Sequence, residues 1–167
     1  MKATIVLTVV VAVAACNTAP ATPAKPSHDM AADVKAVEDV RNREMTMLNG
    51  MQMDSIWTLY SDDVVFMSPD EAMVSGKPAV KKWMDDSMKQ AMMSGSYSGG
   101  TVTVDGDLAV DRYTGTLTVT PKAAKAMSCA IKGLHVLKRQ ADGKWLITQD
   151  IWNCDAPMGA APPPAKK

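Results

Sequence analysis

From Asp29 to Gly50 apolar side chains fall at Val34, Val37, Met45 and Leu48, the three- and four-residue spacing of one helical face. Asp29 is placed to cap the start of that helix, and Asn49-Gly50 to end it with left-handed backbone. Asp54 then stands where it can cap a short second helix, DSIWTLY, with Ile56, Leu59 and Tyr60 turned inward. VVFMSP follows as a strand closed by Pro69, and MVSG as a shorter one. Lys77-Pro78 opens a third helix, because proline in a first turn lacks only an N–H that has no helical partner there. Its apolar positions are Val80, Trp83, Met84 and Met88.

The stretch SGSYSGG interrupts these patterns, and beyond it the period becomes two. TVTVDGD, LAVDRYTGTLTVT, MSCAIKGLHVLKR and KWLITQDIWNC read as four strands, with turns at Asp105-Gly106 and Asp142-Gly143. Helices first and antiparallel strands afterwards predict an α+β domain: a curved antiparallel sheet wrapped, cone-like, on about three N-terminal helices.

The chain ends carry a different composition. Lys2 precedes the apolar run Ile5 to Ala15, too short to span a bilayer, and the run stops at Val13-Ala14-Ala15-Cys16. This resembles the lipobox of bacterial lipoproteins, which implies a signal peptide over residues 1–15 and acyl chains on Cys16. A membrane anchor in the cell envelope follows, with Asn17 pointing to the outer membrane and the periplasmic side. Residues 16–28 read as a Pro/Ala/Thr-rich tether, residues 29–155 as one domain, and residues 156–167 as a disordered tail. Acidic and basic residues balance at 18 each with no basic stripe, which excludes nucleic acid as an expected partner.

The element order, with LNGMQMDSIWTLYSDDVVFMSP, GKPAVKKWM, and Gly-Lys-Trp-x-Ile before a final Trp-Asn, resembles the nuclear transport factor 2-like superfamily. The likeness is to its SnoaL-like and ketosteroid-isomerase-like branch. It implies a cone with an open mouth. That superfamily holds isomerases, cyclases, dehydratases and binding modules, so the fold does not name an activity. Carried over by position, the isomerase's general base falls on Ser68, its tyrosine on Glu44 and its protonated acid on His135. All three differ from the isomerase trio, and a serine hydroxyl accepts no proton without a base of its own. Ketosteroid-type isomerisation is therefore not expected.

A glutamate and a histidine facing each other across an apolar cone can share a proton near neutral pH. The bland alternative pairs Glu44 with Arg41 or with solvent and gives His135 a structural hydrogen bond. Asp62 and Asp63 read as a turn outside the cone, Trp57, Trp83 and Trp145 as core, and Trp152 as either packing or pocket lining. The Met-x-Met pairs Met45/Met47 and Met51/Met53 suggest Cu(I), but residues two apart on a helix point in nearly opposite directions. No metal and no cofactor are expected.

If Arg139 pairs with Lys144 across the last hairpin, Cys129 lies opposite Cys154, which predicts a disulfide in an oxidising compartment. Three functions remain open. One is an envelope-anchored module binding a small apolar ligand or a protein. Another is a SnoaL-like enzyme using His135 with Glu44 as acid and base. The third is a structural subunit forming a homodimer through the sheet, for which apolar residues on the outer face of LAVDRYTGTLTVT would be the sign.

Overall fold

A computed structural model describes residues 29–158. The expected signal peptide over residues 1–15, Cys16, the expected tether up to His28 and residues 159–167 of the expected tail lie outside the described residues. Helix α1 (Met30–Asn49) is capped as expected: Asp29 Oδ1 accepts the N–H groups of Ala31 and Ala32 at 3.0 and 3.2 Å. Its buried face runs Asp33, Val37, Val40, Arg41, Glu44 and Met45, so three charged residues share the inward stripe with the apolar ones. The helix does not end on a left-handed Gly50, whose φ is −81°; Met51 takes the positive φ instead. Asn49 is otherwise engaged. Its amide donates to the Gly95 carbonyl and accepts the Gly95 N–H, both at 2.8 Å, tying the helix end to a strand.

Helix α2 (Met53–Ile56) and a 3-10 turn (Trp57–Leu59) bury Ile56 and Leu59. Gln52, not Asp54, occupies the cap position, and Asp54 faces Lys81 at 3.7 Å. Strands β1 (Tyr60–Met67) and β2 (Val74–Ser75) come next, then α3 (Lys77–Gln90), which buries Val80 and Met84. Asp62 and Asp63 lie exposed in a register irregularity of β1, engaged by Lys77 at 2.7 Å and Ser61 at 2.6 Å, outside the cone.

The predicted break at SGSYSGG is absent. Strand β3 runs unbroken from Ala91 to Asp105, with a register shift between Tyr97 and Gly99. The small residues serve packing instead: a Cβ on Gly100 would overlap the Arg41 guanidinium of α1. Strands β4 (Leu108–Pro121), β5 (Met127–Arg139) and β6 (Trp145–Cys154) complete a six-stranded sheet of order β2-β1-β6-β5-β4-β3. The sheet is mixed, not purely antiparallel as expected, because β1 lies parallel to β6. The long connection through α3 and three strands lets the chain return beside β1 in that sense.

Alternation along β4 and β5 turns Ala109, Asp111, Tyr113, Ile131, His135 and Leu137 inward. In β6 the phase changes. Trp145 and Ile147 face in, then a one-residue irregularity opposite Val136 and Leu137 brings Asp150 to the same face. The core consequently has two apolar parts. The larger gathers Val37, Leu59, Val64, Leu137 and Ile147 with their neighbours; the smaller holds Tyr113, Leu117, Cys129 and Ile131. A buried polar row separates them.

Cys129 and Cys154 form the disulfide, with Cα atoms 5.7 Å apart. The register behind it differs from expectation: Arg139 pairs with Trp145, and after the irregularity Cys154 stands opposite Ile131, so the bridge is diagonal. Ala156, Pro157 and Met158, the first residues of the expected tail, line the end of the domain beside Trp152 and Cys154, and Met158 packs on the smaller core. On the outer face of β4, Arg112, Thr114 and Thr116 are exposed, as is the apolar Leu108, with Val110 half-buried beside it.

Candidate functional site

One rung of the sheet carries the buried polar row. Asp111 on β4 pairs with His135 on β5, which pairs with Asp150 on β6, and all three side chains enter the cone. Cross-strand neighbours on one face lie close enough to interact directly. His135 Nδ1 is 3.6 Å from Asp111 Oδ2, while Nε2 is 3.6 Å from Asp150 Oδ1. Helix α1 closes the row from above. Glu44 Oε2 lies 3.4 Å from His135 Nε2, and Arg41, one turn earlier, donates to Asp111 Oδ1 at 2.5 Å.

Three tyrosines complete the shell. Tyr60 donates to Glu44 Oε1 and Tyr97 donates to Glu44 Oε2 at 2.7 Å. The Tyr113 hydroxyl is 3.5 Å from Asp150 Oδ1, and its ring lies 4.5 Å, centroid to centroid, from the imidazole of His135. That ring crosses β5 at Gly133, where a Cβ would overlap it. Burial, followed by the Glu44 and Asp150 carboxylates, pushes the phenols of Tyr60 and Tyr97 well above their usual range. For Tyr113 burial comes first as well, then Asp150 and Glu44. The three hydroxyls therefore stay protonated and keep a hydrogen to donate.

Asp150 and the imidazole are less ordinary. Burial raises the Asp150 carboxyl and the Glu44 charge adds to this; His135, Tyr60 and Tyr113 hold it down, and the balance is about 7. Burial works against a charged His135, but Glu44, Asp150 and the contact with Asp111 outweigh it and lift the imidazole to about 9. Asp150 Oδ2 also lies 3.3 Å from the Tyr60 hydroxyl. A phenol has one hydrogen to give, so Tyr60 serves as donor to Glu44 and, at longer range, to Asp150.

The row looks onto a chamber. Glu44, Tyr97, Tyr113 and Asp150 form the polar part of a cavity of about 60 Å³ whose other walls are apolar, Leu48, Phe66 and Met84 among them. Trp83, Met93 and Trp152 line it on one side and on the other line a larger outer recess of about 530 Å³. Trp83 is held there by its indole N–H, which donates to Glu71 Oε2 at 2.5 Å. Cys154 lines the recess, so the disulfide braces its rim.

Of the residues singled out from sequence, Glu44 and His135 do meet, and Trp152 stands between the two spaces. Ser68 does not join them: it lines the outer recess and donates to Glu71 at 3.2 Å. Glu44 is not paired with Arg41, because Arg41 is committed to Asp111. Trp57 and Trp145 are core, whereas Trp83 is half-buried wall. Asp111, Asp150, Tyr97 and Tyr113 escaped notice, and Tyr60 reads from the sequence only as an inward-facing residue. A signal for Asp111 was present, an acid at an inward position of an alternating strand. Asp150 gave none, since strict alternation from Trp145 and Ile147 points it outward.

Residues 42–147 match the sequence model of the SnoaL-like domain family. No curated protein matches the chain. Among solved structures, a ketosteroid isomerase-like protein from Erwinia carotovora atroseptica superposes with a TM-score of 0.67 at 21% identity, covering 75% of this chain and 98% of its own. A candidate aromatic ring hydroxylase from Novosphingobium aromaticivorans gives 0.70 at 16%, covering 77% and 92%. A protein from the same organism, described as NTF2-like with a cystatin-like fold, gives 0.64 at 16%, covering 77% and 85%. These similarities show the fold: helices followed by a curved mixed sheet of the nuclear transport factor 2-like, cystatin-like kind.

Proposed function

The chain belongs to the SnoaL-like domain family, and from that premise we propose that it binds a small, mostly apolar organic molecule bearing one polar group. The molecule sits in the cone with its polar group against Glu44 and Asp150 and its apolar body among Trp83, Met93 and Trp152. One observation carries this: the inner chamber has apolar walls and a single polar side, and it shares its outer wall with a wide recess. Apolar concavities with a few convergent polar groups are the usual form of small-molecule sites. The lipobox-like Val13 to Cys16 supports display of the domain from a lipid anchor in the bacterial envelope, most simply on the periplasmic side of the outer membrane.

The test is binding to the folded, full-length chain. Native mass spectrometry against small aromatic and alicyclic alcohols, ketones and acids should yield one-to-one complexes. Leu48→Trp, which fills the inner chamber, should abolish them. Complexes that survive this substitution, or a complete lack of complexes, would overturn the proposal.

A second function, acid–base catalysis on the bound molecule, is favoured by the placement of two carboxylates, Glu44 and Asp150, on the same chamber wall. Under that function Asp150→Asn abolishes turnover while the complex still forms. Ketosteroid-type isomerisation has no support here, because Ser68 stands in the outer recess, bonded to Glu71.

A further inference from the structure

His135 is fully buried, yet neither ring nitrogen has a hydrogen bond. The nitrogens instead face carboxylate oxygens without hydrogen-bond geometry, at 3.4 and 3.6 Å around Nε2 and 3.6 Å from Nδ1. Buried polar atoms in folded proteins are nearly always satisfied, so a group of this kind calls for an explanation, an ion included. One nitrogen and two oxygens, from His135, Glu44 and Asp150, lie within 4.8 Å of one another.

We propose that Glu44, His135 and Asp150 bind one four-coordinate divalent transition-metal ion, zinc being the best fit, whose fourth position opens into the inner chamber. This is independent of which molecule enters the cone.

Two of the ligand separations favour a tetrahedral ion. Zinc bonds to imidazole and carboxylate of about 2.0–2.2 Å give a tetrahedron with edges of roughly 3.3–3.6 Å. The 3.4 Å and 3.6 Å separations from Nε2 are edges of that size. Octahedral magnesium, at about 2.0–2.1 Å, needs edges of roughly 3.0 Å, and calcium wants six to eight oxygens. One imidazole with two carboxylates is a borderline donor set, suited to zinc and its first-row neighbours.

The surroundings match what such an ion requires. A metal-bound histidine generally turns its other nitrogen to a carboxylate, which fixes the ring and its tautomer. Asp111 stands at Nδ1, and Arg41 holds it in place at 2.5 Å. Tyr60 and Tyr97 donate to the two Glu44 oxygens, leaving lone pairs for the ion while orienting the carboxylate. Charge also balances. With His135 neutral, a doubly charged ion offsets Glu44 and Asp150, and Arg41 offsets Asp111. Both carboxylates line the inner chamber, so water or the polar group of a guest can take the fourth position.

The experiment uses the full-length chain, stripped with EDTA, checked for folding by circular dichroism and titrated with Zn²⁺ by calorimetry and with Co²⁺ by visible absorption. One ion per chain is expected, with the intense d–d bands of four-coordinate cobalt. X-ray absorption at the zinc edge should show one nitrogen with imidazole scattering and the rest oxygen. Asp150→Asn and His135→Gln should remove binding, and Asp111→Asn should weaken it about 10- to 100-fold. Folded wild-type chain that takes up no ion, or uptake unchanged in both ligand variants, overturns the proposal. Should the variants not fold, the wild-type stoichiometry and the scattering shell decide alone: a shell without imidazole also overturns it. Leu48→Trp should lose the organic guest without losing the ion, so failure of either proposal is recognisable separately.

Discussion

Asp150 lies directly across the β5–β6 ladder from His135, its Oδ1 3.6 Å from the imidazole Nε2, deep inside a domain only one sheet thick. This pairing exists because β6 shifts phase by one residue just before it. The shift converts an outward aspartate into an inward one and completes a row of acid, imidazole and acid across three strands. What surrounds that row leads to four measurable consequences.

Removing Arg41 strands a carboxylate. Asp111 is fully buried, and the Arg41 guanidinium is its partner at 2.5 Å. Breaking a buried pair from one side costs about 3–5 kcal/mol, whereas replacing both partners with apolar groups is often close to neutral. Arg41→Met should lower stability in urea by that amount, and Arg41→Met combined with Asp111→Leu should recover most of it. A single variant as stable as wild type would mean that solvent reaches Asp111.

Proton uptake by the ion-free row should shape the pH profile of stability. Asp150 titrates near 7 in the folded chain against 3.8 ordinarily, so the folded state keeps a proton that the unfolded state has lost. His135 titrates near 9 against 6.5, and its stabilisation is complete below the lower value and gone above the higher. The folded state thus binds more protons than the unfolded one from about pH 4 to about pH 9, and stability falls as pH rises through that range. Exposed Asp63, Asp86 and Asp142 are held low by their partners and act oppositely, at more acid pH. Melting temperatures of the EDTA-treated chain should decline from about pH 5 to about pH 9. A rising profile would refute the assignment.

Reducing the disulfide should loosen the rim of the outer recess. Cys129 and Cys154 are 25 residues apart in sequence, and closing a loop of that length contributes about 3.5 kcal/mol in the chain-entropy picture. Cys129→Ala with Cys154→Ala should lower the urea midpoint accordingly. Hydrogen exchange should rise at the end of β6 before it rises at the Asp111–His135–Asp150 rung. Uniform loss of protection would show that the bridge holds the whole sheet.

Gly133 is needed for the Tyr113 ring to cross β5. A methyl group there overlaps the ring, and forced repacking typically costs about 1–3 kcal/mol. Gly133→Ala should destabilise the domain by that amount and shift the Tyr113 ring resonances. Tyr113→Ala in the same chain should reverse part of the loss, a coupling that a double-mutant cycle measures directly.

The elements follow from local chemistry that is visible without coordinates. Apolar spacing along α1 and α3, the proline in the first turn of α3, and the Asp-Gly turns set helices before strands and placed most boundaries. Alternation in β4 and β5 marks the inward positions; His135 is singled out there, and Asp111, which carries the same signal, is not. Two thiols on neighbouring strands were also legible, because a hairpin turn makes register countable. The SGSYSGG segment misled, since strand propensity takes no account of a helix that needs glycine beneath it; Gly100 is small to admit Arg41, a contact made across 59 positions of sequence.

Tertiary structure alone decided the site. A helical stripe bearing Asp33, Arg41 and Glu44 reads as partly solvated until the sheet supplies partners for those charges. A β irregularity is a property of two paired strands and changes the face of every residue after it, so Asp150 could not be placed from β6 alone. Parallel pairing of β1 with β6 likewise needed the assembled sheet, and it brings Tyr60 to Glu44. Periodicity acts within an element, whereas the meeting of Glu44, His135 and Asp150 depends on how separate elements dock.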